Sequence, residues 1–234
     1  MATNHELIQA PTEMPSGAVH QVPSARLNKP YGRPDVTAIG VIVWLASELM
    51  FFGAIFAAYF WTRSYAIDAA VAAGTPSMWD TESAHLDIVF ASINTSILVL
   101  SSITIQLGAN AAEAGRVNGS WFNPLKWGVR QGFIISAILG SIFLAGQVWE
   151  YFTLFNEGFV ISTNQYWSLF FIATGIHGIH VFGGVVAMWY VLARSYMTRV
   201  HTHEQTVHAH VVSYYWHFVD VVWIALFGVL YFLR

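Results

Sequence analysis

Residues 214–223 read Tyr-Tyr-Trp-His-Phe-Val-Asp-Val-Val-Trp and lie within a hydrophobic run, 211–233, that is long enough to cross a bilayer as a helix. In this run His217 and Asp220 stand three residues apart, so they would be neighbours on one helix face. An ionisable pair in hydrocarbon is costly unless its members find polar partners. Other membrane spans must therefore turn polar groups towards it, and we predict a helix bundle built around a buried polar layer.

The composition of the whole chain is typical of an integral membrane protein. Of its 234 residues, 56% are hydrophobic, 16% aromatic and 10% charged. Soluble domains usually carry about 25% charged residues, so an ordinary soluble enzyme is excluded. The absence of cysteine excludes disulfides, thiolate metal sites and iron–sulfur clusters. The net charge of -3 argues against nucleic acid as a partner.

Five apolar spans follow an N-terminal tail. Residues 1–34 hold five of the seven prolines and no apolar periodicity, which predicts a flexible cytoplasmic tail. They also lack the basic-then-apolar pattern of a cleaved signal peptide. The remainder, 35–234, is predicted to be one all-α membrane domain, a polytopic bundle of five transmembrane helices. Its spans are expected at about 37–62, 86–108, 131–155, 167–193 and 211–233.

The basic residues predict the orientation of these spans. With the N-terminus inside, the outer segments hold Arg63 and Arg234. The inner segments hold the other eight of the ten basic residues: Arg26, Lys29, Arg33, Arg116, Lys126, Arg130, Arg194 and Arg199. Because positive charge accumulates in cytoplasmic loops, we expect the N-terminus inside and the C-terminus outside.

Polar residues of four spans fall at a common depth. A rise of about 1.5 Å per residue places Glu48, His180 and Asp220 about 12–16 Å above the inner boundary of a core about 30 Å thick. The predicted buried polar layer comprises Glu48, Asn94, His177, His180, His217 and Asp220. A second polar face near the outer end of the third span comprises Gln147, Glu150 and Tyr151. Intramembrane ionisable groups indicate function by default, but polar contacts that only fix the bundle explain the layer equally well.

Other polar and small residues in the spans are expected to serve packing. Ser101, Ser102 and Thr104 are expected to bond their own helix backbone. Glycines on the fourth span predict close helix packing: Gly175, Gly178, Gly183 and Gly184.

The histidines raise the question of haem or metal. His177 and His180 share a helix face and His217 comes from another span, so bis-histidine ligation of haem is conceivable. The proximity of Asp220 to His217, and the common depth of Glu48 and His180, instead favour charge-compensated pairs. We therefore expect no cofactor or metal site on this chain. A haem- or quinone-carrying redox subunit remains an alternative. A small-solute transporter is a further one, although neither repeats nor Gly/Pro-broken spans are present.

A histidine cluster precedes the last span, in the predicted inner loop 194–210. Four of the ten histidines fall within ten positions there, and imidazole changes charge close to cellular pH. The segment is therefore a candidate proton antenna, with a plain solvated loop or adventitious metal binding as alternatives. Its candidate residues are His201, His203, Glu204, His208 and His210.

Five motifs follow one another in order across the five spans. They are Ser47-Glu48 with Phe51-Phe52, Asn94-Thr95 with Leu98 to Ser102, Gln147-x-x-Glu150-Tyr151, Thr174-Gly175-x-His177-Gly178-x-His180-Val181, and Tyr215-Trp216-His217-Phe218-Val219-Asp220-Val221-Val222-Trp223. Taken together, these motifs resemble subunit III of the haem–copper cytochrome c oxidases. The usual family form has seven helices, and this sequence is similar to the short five-helix bacterial form, particularly the actinobacterial one.

The resemblance implies a non-catalytic subunit of a proton-pumping cytochrome c oxidase in aerobic respiration, located in the bacterial plasma membrane. In the family, haem a, haem a3 and copper belong to subunits I and II. Subunit III packs beside subunit I, stabilises it during turnover, supports proton uptake and binds phospholipid. The family's intramembrane carboxylate falls on Glu48, and its His–Asp pair on His217 and Asp220. The partners implied are subunits I and II, membrane lipids and a cytochrome bc complex in a supercomplex.

Overall fold

The computed structural model describes residues 35–197 and 202–233, and the regular structure of these residues is entirely helical. The predicted tail, 1–34, and His201 lie outside the described residues. Within them, five helices are long and apolar enough to cross a membrane, which confirms the predicted all-α fold with five spans. The α-helices are α1 Val36–Ala73, α2 Met78–Ser83, α3 Ile88–Glu113, α4 Val129–Asn156, α5 Gln165–Met197 and α6 His203–Phe227, which continues as a π-helical turn, Gly228–Phe232.

Two helix boundaries differ clearly from those predicted. Helix α1 continues past residue 62 to Ala73 and ends at Gly74, which adopts the left-handed conformation with φ 64°. Helix α6 begins at His203, eight residues before the predicted start at 211. The reason is a capping box in which Thr202 and Gln205 satisfy each other's backbone N–H groups. The segment from His203 to His210, predicted as a loop, is therefore helical.

Helices α3, α4, α5 and α6 form the tightly packed part of the bundle. On the α3–α4 seam the backbones touch, because a Cβ atom added at Gly132 would lie 2.6 Å from the Cα atom of Gly108. Aromatic rings fill the centre, where Trp216 and Trp223 of α6 are fully buried with Phe143 of α4. Each indole also finds a partner, since Trp216 Nε1 donates to Ser101 Oγ at 2.8 Å and Trp223 Nε1 donates to Thr95 Oγ1 at 2.9 Å.

The glycines of α5 do not all serve close packing. A Cβ atom at Gly184 would lie 2.6 Å from Cε3 of Trp216, so only a glycine fits there. A Cβ atom at Gly178 would meet nothing within 4 Å, and those at Gly175 and Gly183 would make ordinary contacts at 3.5 Å. The prediction of close packing is therefore right for Gly184 and wrong for the other three, because the indole contacts a single turn of the helix.

Helix α1 lies on the outside of the bundle. Its 38 residues span about 57 Å, well beyond an apolar core about 30 Å thick. Within this helix only Phe52 and Tyr59 are buried. Phe52 packs edge-on against His180 of α5 and Phe218 of α6, so aromatic as well as polar contacts attach α1 to these two helices.

Candidate functional site

The His–Asp pair of α6 makes its contacts with α3. Ser102 Oγ bonds Asp220 Oδ2 and lies 3.0 Å from His217 Nδ1, so this hydroxyl stands between the two α6 side chains. On the other side of the ring, His217 Nε2 lies 2.9 Å from Gln106 Oε1. Asp220 is buried, 4% exposed, and the ring of His217 is half-buried. We refer to Ser102, Gln106, His217 and Asp220 as the α3–α6 polar contact.

Neither α3 member of this contact was among the predicted site residues. Ser102 was expected to bond its own helix backbone, and that expectation is wrong because its hydroxyl turns to α6. The signal that could have found both residues is their spacing. Ser102 and Gln106 stand four residues apart, so they share the helix face that meets His217 and Asp220.

Glu48 of α1 pairs with His180 of α5. Glu48 Oε2 lies 3.2 Å from His180 Nε2, with the two side chains 21% and 17% exposed. His180 Nδ1 lies 2.8 Å from the carbonyl oxygen of Ile176, to which it must donate. Nε2 and Oε2 therefore hold one proton between them, either as imidazole with a carboxylic acid or as imidazolium with a carboxylate. We refer to these two residues as the α1–α5 pair.

The remaining two members of the predicted layer lie apart from these contacts. Asn94 Nδ2 donates to the carbonyl oxygen of Phe143 at 3.1 Å, which ties α3 to α4. His177 is fully buried and stacks on Trp223 with 4.9 Å between ring centroids. Among the described residues neither ring nitrogen of His177 has a hydrogen-bond partner. The six residues thus form separate local contacts rather than one continuous network.

The residues of the predicted outer polar face contact two different parts of the bundle, the turn after α6 and helix α5. Gln147 Nε2 donates to Glu150 Oε2 at 3.2 Å, and Tyr231 OH donates to Glu150 Oε1 at 2.6 Å. Tyr151 instead points to α5, where its hydroxyl lies 2.6 Å from Thr174 Oγ1. Sequence reasoning missed Tyr231, because a tyrosine near the end of a span ordinarily anchors the helix at the membrane surface.

The candidate antenna residues of α6 face carboxylates and rings of other helices. His203 Nε2 lies 3.5 Å from Asp35 Oδ1 beside the start of α1, and His210 Nε2 lies 3.1 Å from Glu113 Oε1 of α3. Glu204 accepts from Arg194 of α5 at 3.5 Å. A further histidine of this group packs edge-on against an aromatic ring of α5, the pair being His208 and Tyr190.

Two of the cavities between the described helices open on the sides of the bundle. The first, of about 260 Å³, lies between α4 and α5 over Gly175 and Gly178 and is almost wholly apolar. The second, of about 230 Å³, lies between α3 and α4 and is lined by Asp87, Glu150 and Glu157. Over the described part of the chain, no group of three or more His, Asp or Glu side chains could hold a metal ion.

Comparison with known proteins gives a consistent result over the whole described region. A sequence profile of the family described as "Cytochrome c oxidase subunit III" matches residues 34–234. "Probable cytochrome c oxidase subunit 3" of Nocardia farcinica is 43% identical over 202 residues, covering 86% of this chain and 90% of that protein. "Cytochrome c oxidase subunit 3" of Corynebacterium diphtheriae is 44% identical over 202 residues, with the same coverage. The protein of that name from Thermostichus vulcanus is 36% identical over 200 residues, 86% of this chain and 89% of that protein.

Proposed function

The chain belongs to the cytochrome c oxidase subunit III family, and on that premise we propose that it is a non-catalytic subunit which stabilises subunit I and supports its proton uptake. As a family member it is a subunit of the oxidase complex and a multi-pass protein of the plasma membrane. Haem a, haem a3 and copper would then belong to subunits I and II.

The observation that carries a non-redox role is the use of the intramembrane histidines. His180 is occupied by Glu48 and by the Ile176 carbonyl, and His217 is occupied by Ser102 and Gln106. An axial haem ligand needs a free ring nitrogen that faces the iron. His177 keeps both nitrogens free among the described residues, but it is fully buried between aromatic rings, including that of Trp223. Three histidines in these settings support packing rather than redox chemistry.

The inner end of α6 supports a role in proton supply. His203 and His210 lie beside carboxylates of the chain region before α1 and of α3, and Glu204 accepts from Arg194. Imidazole and carboxylate groups at one membrane surface can take up protons and pass them to a neighbouring proton entrance. We place this surface on the cytoplasmic side, following the distribution of basic residues.

Bound phospholipid is the further part of the proposal. The apolar groove of about 260 Å³ between α4 and α5 has the chemistry of an acyl-chain site, because its lining is almost wholly apolar. Helix α1 adds a long exposed apolar face that lipid or subunit I would cover. A cytochrome bc complex is a candidate outer partner in a supercomplex.

Affinity purification in mild detergent tests the assignment. We expect the tagged chain to bring down oxidase subunits I and II together with phospholipid, and the complex to show haem absorption. The chain stripped of its partners should show none. A haem Soret band that stays with the partner-free chain would refute the non-redox role.

Removal of the chain tests the supporting role separately. An oxidase that lacks it should keep its haem spectrum but lose activity progressively during turnover. A constant rate of oxygen reduction over many turnovers, equal to that of the complete complex, would contradict stabilisation of subunit I.

A further inference from the structure

The hydrogen bonds between α3 and α6 assign a proton-binding site. We infer that Asp220, Ser102 and His217 together bind one proton, which resides on Asp220 as a neutral carboxylic acid. The site rests on the geometry of the α3–α6 polar contact and not on the proposed function. The hydrogen bonds of the site form a series that begins at Asn110, on the exposed surface of α3.

The first link is the Gln106 amide, whose oxygen and nitrogen are distinguished by their hydrogen-bond partners. Gln106 Nε2 donates to Asn110 Oδ1 at 2.8 Å, so Oε1 faces the opposite way. Ser213 Oγ donates to the same Oε1 at 3.4 Å, in agreement with that orientation. An amide oxygen accepts hydrogen bonds and cannot donate. With the amide in this orientation, His217 Nε2, 2.9 Å from Gln106 Oε1, carries a hydrogen.

The second link fixes the hydroxyl. In a neutral imidazole with hydrogen on Nε2, Nδ1 is an acceptor. Ser102 Oγ, 3.0 Å from His217 Nδ1, is then the donor to it. A hydroxyl has only one proton to donate. Since Ser102 donates that proton to His217 Nδ1, it can only accept a hydrogen bond from Asp220. The hydrogen in its contact with Asp220 Oδ2 therefore belongs to Asp220. Every donor then faces an acceptor, and no group carries a charge.

If the amides of Gln106 and Asn110 were both turned over, Gln106 would donate to His217 Nε2, His217 Nδ1 to Ser102, and Ser102 to a charged Asp220. That arrangement is disfavoured because it leaves a buried carboxylate whose Oδ1 has no hydrogen-bond partner among the described residues.

With the amides in the first orientation, one other proton arrangement fits the same atoms. In it the O–H bond of Asp220 is broken and Ser102 receives that proton while releasing its own to Nδ1. His217 becomes imidazolium and Asp220 a carboxylate, with no change in total charge. This arrangement is disfavoured because Asp220 Oδ1 is buried and has no hydrogen-bond partner among the described residues. A carboxylate would share its charge with that buried oxygen, whereas a neutral acid leaves only a carbonyl oxygen there.

The neutral arrangement explains how these residues can lie on a helix seam inside hydrocarbon. Asp220 is 4% exposed, and a buried charge on α6 would need a compensating cation. Binding one proton removes that need and leaves a directed series of hydrogen bonds from Asp220 through Ser102 and His217 to Gln106. The bound proton thus fixes the position of α6 against α3.

Infrared spectroscopy of the assembled complex tests the carboxylic acid. Subtracting the spectrum of Asp220→Asn from that of the parent should leave a carbonyl band of a protonated carboxyl group. The matched control Asp80→Asn removes an exposed carboxylate of α2 and should leave no such band. If the Asp220→Asn difference shows carboxylate bands alone, the proposal is overturned.

Nitrogen NMR of ¹⁵N-histidine complex tests the imidazole, with the His217 signals identified by their loss in His217→Gln. We expect a neutral ring with hydrogen on Nε2. Imidazolium signals, or hydrogen on Nδ1 alone, would overturn the proton assignment.

A pair of serine variants keeps the test decisive if Asp220→Asn does not assemble. Ser102→Ala removes the acceptor of the acid, so the carboxylic acid band should move to higher frequency. Ser102→Thr keeps a hydroxyl and should leave the band in place. If the band responds to neither variant, Asp220 does not donate to Ser102 and the proposal fails.

Discussion

Glu48 shows how a single intramembrane carboxyl group can attach a peripheral helix. The common depth of Glu48 and His180 predicted this pair from the sequence, and in the structure Glu48 Oε2 lies 3.2 Å from His180 Nε2. Helix α1 packs beside α5 and α6, whereas the ring nitrogens of His217 face α3. Tyr215 reinforces the position of His180, since its hydroxyl donates to the His180 carbonyl oxygen at 2.8 Å.

Replacement of Glu48 should therefore weaken the attachment of α1. Glu48→Ala leaves His180 Nε2 without its partner in a half-buried position, at a cost of about 1–3 kcal/mol. We expect a lower unfolding temperature of the purified complex. Glu48→Gln should remain close to the parent, because an amide N–H can donate to the neutral ring. Glu157→Ala, at an exposed position after α4, is the control. An unchanged unfolding temperature in Glu48→Ala would show that the pair does not hold α1.

At the scale of single helices, α5 and α6 meet where a glycine faces a tryptophan. Trp216 lies between α4 and α5, so that a Cβ atom at Gly184 would come within 2.6 Å of its ring. The indole is held in place by its hydrogen bond to Ser101 and cannot easily withdraw.

The two glycines of α5 provide a matched comparison. Gly184→Ala should destabilise the bundle by about 1–3 kcal/mol through overpacking against Trp216. Gly178→Ala meets nothing within 4 Å and should be neutral or slightly stabilising. Thermal unfolding of the two purified variants measures the difference. Equal unfolding temperatures would mean that the α5–α6 contact adapts without cost.

The start of α6 belongs to the same scale. Because this helix begins at His203, the predicted antenna is mostly a helical surface rather than a loop, and two of its histidines face Asp35 and Glu113. A fixed surface of imidazoles beside carboxylates can exchange protons with water and with a neighbouring subunit.

Replacing the antenna histidines by glutamine tests this role. Free protons become scarce as pH rises, so the benefit of a local store of protons should grow on the alkaline side. With these four histidines replaced, we expect the complex to assemble and its haem spectrum to be unchanged. Oxygen reduction should then fall more steeply than in the parent between about pH 7 and 8. The four positions are His201, His203, His208 and His210.

The control for this series is His85→Gln, an exposed histidine before α3 that lies on the predicted outer side. It should leave the pH profile unchanged. If the profiles of the fourfold variant and the parent superimpose while the complex stays intact, the start of α6 is only a connector.

For the whole molecule, the orientation in the membrane is the property most directly open to test. The chain contains no cysteine, so a single introduced thiol reports its own side of the membrane. Thr75→Cys lies in the connection after α1, and Ser120→Cys in the connection between α3 and α4; both positions are exposed. With the N-terminus inside, a membrane-impermeant maleimide added to intact cells should label Thr75→Cys and leave Ser120→Cys unlabelled. The reverse pattern would refute the predicted orientation.

Local properties of the chain made much of the architecture predictable. A run such as 211–233 is a membrane span because of its length and apolarity, and both can be read from the sequence without knowledge of the neighbouring helices. The motif around His217 and Asp220 likewise indicated the family, since it depends on residue order alone. Even so, the start of α6 was placed too late, because hydropathy does not register a polar first turn fixed by Thr202.

Tertiary structure decided which polar and small residues meet. Successive side chains on a helix are rotated by about 100° about its axis. Which side chains meet therefore depends on how two helices are rotated and shifted against each other. That relation placed Ser102 between His217 and Asp220, brought Tyr231 to Glu150, and gave Gly184 alone among the α5 glycines a close contact. Rotation and shift follow from packing of all the helices together. The sequence by itself therefore determined the spans and the family, whereas only the packed bundle determined the partners.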